Sequence, residues 1–330
     1  MSKEAAALVR MEPELAVERP APEISVVIPL LDEEETIEAL YQALSDTLQP
    51  LDRPYELLFV DDGSRDGSFR KLEELHEADP DRVRVIQFRR NFGKTAALVA
   101  GFREADGDLI ITMDADLQDD PTEIPILLGK LEQGYDLVAA WRHDRQDPLS
   151  KTLPSRLFNA TVSVLTGVKL HDFNCGFKAY RREATDSLKL YGDLHRFIPV
   201  LAYWKGYRVT EVPVVHHPRT AGQSKYGWTR LIRGLVDFLV VLFLTNYLRR
   251  PLQLFGGLGI LVFSGGFAIG AYLSIQWLLG SPIGWRPMLF LGILAMIVGV
   301  QLASIGLLGE MIRNLAYNHD DEYSVRRILR

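Results

Sequence analysis

Asp114-Ala115-Asp116 places two carboxylates two residues apart, directly after the apolar run at 109–113. In extended backbone such a pair points to one side of the chain. Two like charges that close repel each other unless a cation neutralises them. Hard oxygen ligands suit Mg²⁺ or Mn²⁺, and Mg²⁺ typically takes one or two carboxylates and fills its shell with phosphate oxygens and water. A diphosphate bridged by the metal is the natural third party, because the metal offsets charge on a departing nucleotide. Gln118 can add a neutral oxygen ligand. Asp-x-Asp also occurs in many solvated loops, so the pair gains meaning only from what surrounds it.

A second acidic group, Asp61-Asp62-Gly63-Ser64, follows the apolar segment at 56–60. It has the composition of a plain turn. At the end of a buried strand, its carboxylates can also accept hydrogen bonds from a base ring or a ribose. Pro29 and Glu33, after the run at 24–29, can line the same crevice.

The elements that must position these groups can be read from periodicity. Short β-branched or apolar runs at 24–29, 56–60, 83–88, 109–113 and 137–140 predict strands. Amphipathic segments ending at Leu48, at 95–105 and at 122–133 predict helices between them. Strands alternating with helices at this spacing specify an α/β fold with a mostly parallel sheet. Ligands of such sheets bind beyond the carboxyl ends of the strands, where all three polar groups fall.

Charged residues are frequent up to about Trp228, but between 252 and 312 only Arg286 and Glu310 remain. Residues 252–279 and 288–312 each exceed the ~20 apolar residues a membrane-spanning helix needs. Their length and low charge argue against the buried hairpin of a soluble protein. The stretch at 231–248 contains Arg233 and Asp237, and a mid-bilayer charge costs roughly 3 kcal/mol on insertion scales. It is expected to form an amphipathic helix in the interface, over 228–250. Arg249, Arg250, Arg313, Arg326 and Arg327 flank the spans on one side and Arg286 lies on the other. The positive-inside rule puts the former side in the cytosol. Residues 1–22, with Glu4, Glu12, Glu14, Glu18 and three prolines, are expected to be a disordered lead-in rather than a signal peptide. The net charge of −6 speaks against general nucleic-acid binding. Cys175, the single cysteine, rules out an internal disulfide and is expected to be a packed side chain.

The runs Val26-Val27-Ile28-Pro29-Leu30-Leu31-Asp32-Glu33-Glu34, Val60-Asp61-Asp62-Gly63-Ser64 and Asp114-Ala115-Asp116-Leu117-Gln118 resemble the family 2 glycosyltransferases of GT-A fold. Three more runs resemble the polyisoprenyl-phosphate glycosyltransferase group within it: Arg89-Arg90-Asn91-Phe92-Gly93-Lys94, Asp172-Phe173-Asn174-Cys175-Gly176-Phe177 and Arg219-Thr220-Ala221-Gly222-Gln223-Ser224-Lys225-Tyr226. The likeness covers roughly residues 24–312. Asp32 replaces the usual Asn, and Leu31 stands where Tyr or Phe often sits.

The resemblance implies a Rossmann-like GT-A domain over 23–227, the interfacial helix, two transmembrane helices within 251–312 and a cytosolic tail over 313–330. It also implies that Pro29, Leu31, Glu33, Val60, Asp61 and Asp62 line the base and ribose pocket, and that Asp114, Ala115, Asp116 and Gln118 form the metal and diphosphate site. Lys94, Arg142, Arg219 and Lys225 would bind donor diphosphate or acceptor phosphate, as guanidinium and ammonium groups do. The implied partners are a UDP- or GDP-sugar, a polyprenyl phosphate and a lipid bilayer, with Mg²⁺ or Mn²⁺ as cofactor.

The implied reaction is in-line attack of a phosphate oxygen on the anomeric carbon, with inversion, moving a hexose such as glucose or mannose at the cytosolic face of a bacterial-type plasma membrane. A phosphate monoester has a second pKa of about 6, so it needs little help from a base. Asp172 is a candidate acceptor-side carboxylate, either orienting an Arg or Lys or taking a proton. Asp116, Asp172, Arg219 and Lys225 are the expected catalytic set. The tail at 323–329 alternates like a strand and is expected to pair between subunits of a homo-oligomer, a tetramer.

Three rival readings are a processive polysaccharide synthase, a sugar-phosphate nucleotidyltransferase and a non-catalytic scaffold retaining the fold. The Gln-x-x-Arg-Trp motif of the first and the glycine-rich first loop of the second do not occur in the sequence. Phe92-Gly93-Lys94-Thr95 lacks the first glycine of a P-loop, Phe88 standing there. His216-His217 point to opposite faces in a strand, which opposes a metal reading. Gly266 and Gly270 form a small-xxx-small pair suited to helix packing in the first span.

Overall fold

The computed structural model describes residues 21–142, 159–164, 166–215, 251–280 and 287–315. The expected interfacial helix, nearly all of the lead-in, the outer turn, the tail strand, His216-His217, Arg219 and Lys225 lie outside the described residues. The described residues fall into two units, one carrying the sheet and one carrying two long C-terminal helices.

In the first unit, Ile24–Leu30 (β1) and Tyr55–Asp61 (β2) are buried along their whole lengths. Strands covered on both faces read as continuous apolar runs, as these do. With Val83–Gln87 (β3), Leu109–Thr112 (β4), Leu137–Arg142 (β5), Lys178–Arg181 (β6) and Val209–Val214 (β7) they form a seven-stranded sheet in the order β3-β2-β1-β4-β6-β5-β7. β6 runs antiparallel to both neighbours, and every other pairing is parallel.

The five strands read from the sequence are present, and β6 and β7 are additions. β6 is the four-residue Lys-Ala-Tyr-Arg, polar at both ends, and β7 carries Glu211 and Pro213, so neither has the apolar run that marks the others. Helices Ile37–Leu48 (α1), Ser68–Ala78 (α2), Lys94–Glu104 (α3) and Ile124–Glu132 (α4) follow β1, β2, β3 and β4 in turn. Two short helices, Arg182–Ser187 (α5) and Ile198–Trp204 (α6), come after β6. The core joins Ile24, Ile28, Leu40, Leu44, Leu57, Phe59, Leu127 and Phe177, all essentially inaccessible. α3 lies on β1 because residue 101 is glycine: a Cβ there would sit 2.2 Å from Val27 Cγ1.

The second unit contains Pro251–Leu278 (α7) and Pro287–Leu315 (α8). Their apolar windows have mean hydropathy 1.9 and 2.3 and are only 17% and 11% buried, so these are candidate membrane spans by length and composition. A core helix of a soluble protein would hide most of that surface. The two helices meet along a seam of glycines. A Cβ at Gly259 would lie 2.6 Å from the Gly299 carbonyl, and one at Gly266 would lie 2.5 Å from the Gly292 carbonyl. Gly270 has open space around it, so of the expected small-residue pair only Gly266 lies in the seam, which runs through Gly259 and Gly266 on α7 and through Gly292 and Gly299 on α8. The seven-residue step keeps both members of each pair on one helix face, which the four-residue pair read from the sequence did not capture.

Candidate functional site

β2, β1 and β4 are adjacent parallel strands, so the loops leaving them open on one edge of the sheet. There a crevice of about 260 Å³ is lined by Pro29, Leu31, Glu33, Asp62, Lys94, Asp114, Ala115 and Asp116, with Asn91 and Gly93 beside them. It is an open groove at the carboxyl ends of parallel strands, the place where such sheets take ligands.

The first two loops are tied together. Ser64 Oγ accepts from the Asp32 amide at 3.0 Å, and Asp32 Oδ1 accepts from the Arg65 amide at 2.8 Å. Glu34 Oε2 accepts from the Gly67 amide at 2.9 Å, and Ser68 Oγ accepts from the Glu33 amide at 3.0 Å. Asp32 has φ +55°, a left-handed conformation that Asn and Asp tolerate best, so aspartate is a fitting substitute for the more usual asparagine. Asp61 is fully buried: its Oδ1 caps Ser64 through the amide at 2.9 Å and the hydroxyl at 2.5 Å, while Oδ2 takes no partner among the described residues. Val60 is wholly buried in β2 and is not among the crevice-lining residues.

Asp62 holds the loop before α3. Its two oxygens accept from the Phe92 amide at 2.7 Å and the Gly93 amide at 2.9 Å. Burial pushes its carboxyl up, and the two amides offset that only in part. Gly93 stands at φ +95°, ψ 157°, a conformation open essentially to glycine alone, and it turns the chain into α3 with Lys94 as first helical residue.

Lys94 reaches across the crevice to ion-pair with Asp114 Oδ1. Burial acts to raise the Asp114 carboxyl, but the Lys94 charge and hydrogen bond outweigh it and hold the group below the usual carboxylate range. On its other side Asp114 is packed against Gly176, where a Cβ would come 2.5 Å from Oδ1. Thr112 Oγ1 fixes that segment by donating to the Gly176 carbonyl at 2.7 Å. After Asp116 the chain turns through Leu117 at φ +56°, and the Gln118 amide donates to Asp116 Oδ1 at 3.3 Å. Gln118 is not among the crevice-lining residues. Among the described residues no three Asp, Glu, His or Cys side chains converge as a metal cage. Two carboxylates at a groove fit an ion that draws the rest of its shell from a diphosphate and water.

Arg142 and Asp172 form a largely buried pair, Nε to Oδ2 at 2.7 Å, with side chains 16% and 4% exposed. Asp172 Oδ1 also accepts from the Asn174 amide at 3.0 Å. Burial acts to lower the Arg142 guanidinium, but Asp172 prevails and raises it, so the charge is permanent.

Two groups at this edge escaped the sequence reading. Lys178 is buried in β6, donates to the Cys175 carbonyl and has its ammonium lowered to about 8, chiefly by burial. The signal for it is a lysine inside the otherwise apolar Phe-Lys-Ala-Tyr run. His195 pairs with Thr95 Oγ1 at 2.8 Å, and burial followed by the nearby Lys94 charge pushes its imidazole far below its usual range, so it is neutral. Cys175 is buried with its thiol pushed up to about 12 by burial, a packed and unreactive group.

Residues 25–189 match the family model described as glycosyl transferase family 2. The chain is 38% identical to the dodecaprenyl-phosphate galacturonate synthase of Rhizobium johnstonii over 313 residues, which cover 93% of each chain. It is 37% identical to an undecaprenyl-phosphate 4-deoxy-4-formamido-L-arabinose transferase of Klebsiella pneumoniae, over 94% of this chain and 95% of that one. Among solved structures it is similar to the glucosyl-3-phosphoglycerate synthase of Mycobacterium tuberculosis in complex with Mn²⁺, UDP-glucose and phosphoglyceric acid. There the identity is 25% and the TM-score 0.52, over 67% of this chain and 79% of the other. The same enzyme with Mg²⁺ and UDP gives 25% and 0.51, over 66% and 79%.

Proposed function

The chain belongs to the family 2 glycosyltransferases, and from that membership we propose that it transfers one sugar from a UDP- or GDP-sugar to a polyprenyl phosphate, with inversion, at the cytosolic face of the membrane. The observation that carries this reading is the crevice where Asp114 and Asp116 meet the loops after β1 and β2. Relatives named for polyprenyl-phosphate acceptors over nearly the full length support the acceptor. Neighbours crystallised with UDP and Mn²⁺ or Mg²⁺ support the donor and the metal. The sugar in this reading is a hexose such as glucose or mannose, while the relatives are named for galacturonate, a hexuronate, and formamido-arabinose, a pentose derivative.

In this reading Pro29, Leu31 and Glu33 hold the base and ribose, and Asp61, fully buried behind them, shapes the turn after β2 by capping Ser64. Asp114 and Asp116 hold Mg²⁺ or Mn²⁺, which when bound neutralises charge on the diphosphate. Asp62 sets the loop that presents Lys94. A phosphate oxygen of the acceptor forms the bond to the anomeric carbon as the bond from that carbon to the diphosphate oxygen breaks, and the electron pair leaves on the nucleotide. The acceptor phosphate is largely ionised near neutral pH, so positioning and charge neutralisation do the catalysis. Asp172 is a positioning residue, because both its oxygens are engaged and one orients Arg142. Arg142, with Arg219 and Lys225, binds phosphate. The proposal includes the domain boundaries read from the sequence and a homo-oligomer paired through the tail at 323–329, which lies outside the described residues.

Detergent-purified protein with Mg²⁺, undecaprenyl phosphate and labelled UDP-glucose, UDP-galacturonate, UDP-formamido-arabinose or GDP-mannose tests this. Label from one donor should enter the organic phase and EDTA should abolish it. A folded protein that moves no label from any of them would contradict the reading.

A further inference from the structure

Two ion pairs stand at this edge of the sheet, and they differ in accessibility. Arg142–Asp172 is the more buried, at 16% and 4% exposure, whereas Lys94–Asp114 faces the crevice at 31% and 38%. A buried pair is a fixture, since parting it strands a buried charge, while a half-exposed pair can be parted at low cost. Asp114 lies directly over Gly176, where a Cβ would come 2.5 Å from Oδ1 and 2.8 Å from Oδ2, so only a glycine leaves room for the carboxylate that Lys94 holds. A cation approaching Asp114 Oδ1 therefore meets the Lys94 ammonium already bound to that atom.

The placement of Lys94 points the same way. It is the first residue of α3, held there by Asp62 through the Phe92 and Gly93 amides. A helix N-terminus disfavours a cation and favours an anion, so Lys94 sits against the local field unless a carboxylate or a phosphate accompanies it.

We propose that Lys94 is an exchangeable counter-ion: it occupies Asp114 until a nucleoside diphosphate arrives, then moves to the diphosphate and frees Asp114 for the divalent cation. The inference rests on the metal assignment under Proposed function. Its consequence is that metal and nucleotide bind as a couple. A divalent cation alone must compete with the ammonium and share the groove with it. The diphosphate brings the negative charge that accepts both. The crevice thus takes up its metal with its donor, and Lys94 is the residue that enforces the order.

Mn²⁺ binding to the full-length protein in detergent, followed by electron paramagnetic resonance with and without UDP or GDP, tests this without relying on turnover. The wild type should bind Mn²⁺ weakly alone and more tightly with the nucleotide. Lys94→Met should bind Mn²⁺ alone about tenfold more tightly, the factor matching loss of one charge-assisted competing contact, and should lose most of the nucleotide's enhancement. Lys94→Arg, which keeps the charge, should retain the enhancement, and thermal unfolding confirms that each variant is folded. A folded Lys94→Met with wild-type Mn²⁺ affinity alone would overturn the proposal. Asp114→Asn separates the two claims: if it binds Mn²⁺ with nucleotide as the wild type does, the metal assignment itself falls.

Discussion

The crevice loops and the α7–α8 pair hold themselves together by opposite means. In the loops, polar atoms cross-link segments distant in sequence: Asp32 to Arg65, Glu34 to Gly67, Asp62 to Phe92 and Gly93, Lys94 to Asp114. In the helices, glycine faces carbonyl along the seam, while large side chains such as Leu261, Leu278, Met311 and Ile312 point outward and are well exposed. A polar network fixes single atoms to within tenths of an ångström, which charge-neutralising catalysis needs. An apolar seam fixes only the distance between two backbones and leaves the outer faces for lipid. Substitutions should therefore act through function in the first region and through stability in the second.

The largest effect should come from Asp116→Asn, which keeps shape and removes charge. The initial rate of sugar transfer should fall roughly 10³-fold while thermal unfolding stays near wild type. Gly176→Ala comes next. Its Cβ would come 2.5 Å from Asp114 Oδ1 and push the carboxylate aside, and a misplacement of about 1 Å in a reacting group costs up to about 10²-fold in kcat/KM. Loss of stability without loss of rate there would erase the distinction between the regions.

On the other side, Gly299→Leu drives a side chain into the Gly259 carbonyl, 2.7 Å from its Cβ, and should destabilise the helix pair by about 1–3 kcal/mol in detergent unfolding. UDP binding by the sheet unit should stay within about twofold of wild type, an outcome read by calorimetry. By contrast Leu307→Ala, on an outer face at 54% exposure, should change stability by no more than about 0.5 kcal/mol.

A pH dependence rather than a single shift tests the buried lysine. Lys178 titrates near 8 in the fold against 10.5 in the unfolded chain, so between those values the unfolded state binds more protons. Stability should then rise with pH across this window, by at most ~1.4 kcal/mol per pH unit, and the cost of burying the charge should be fully present below about pH 8. Lys178→Met should flatten that slope in urea titrations. An unchanged slope would show that the lysine contributes nothing to it.

Legibility in the sequence followed the same divide. Strands β1, β2 and β4 and the acidic turns after them were legible because a buried parallel strand is a continuous apolar run and its carboxyl end is abruptly polar. The two apolar helices were legible from length and composition. What was hidden depends on contacts between distant segments. Nothing in Gly176 itself says that Asp114 leans on it, and nothing in Asp172 selects Arg142 over another cation. β6 was missed because an antiparallel strand only four residues long, bounded by Lys178 and Arg181, has no periodicity to read. The helix seam was half visible: Gly266 and Gly270 stood out together, but only the packing shows that Gly266 meets Gly292 across the seam while Gly270 faces open space.

The central claim, that the crevice moves one sugar onto a polyprenyl phosphate, is tested most directly by the mass of the lipid product. Wild-type protein with undecaprenyl phosphate, Mg²⁺ and the accepted donor should yield a lipid heavier by one sugar residue, and Asp116→Asn should yield none. A ladder of masses would mean a processive synthase, and a single product formed equally well by Asp116→Asn would place the chemistry outside this crevice.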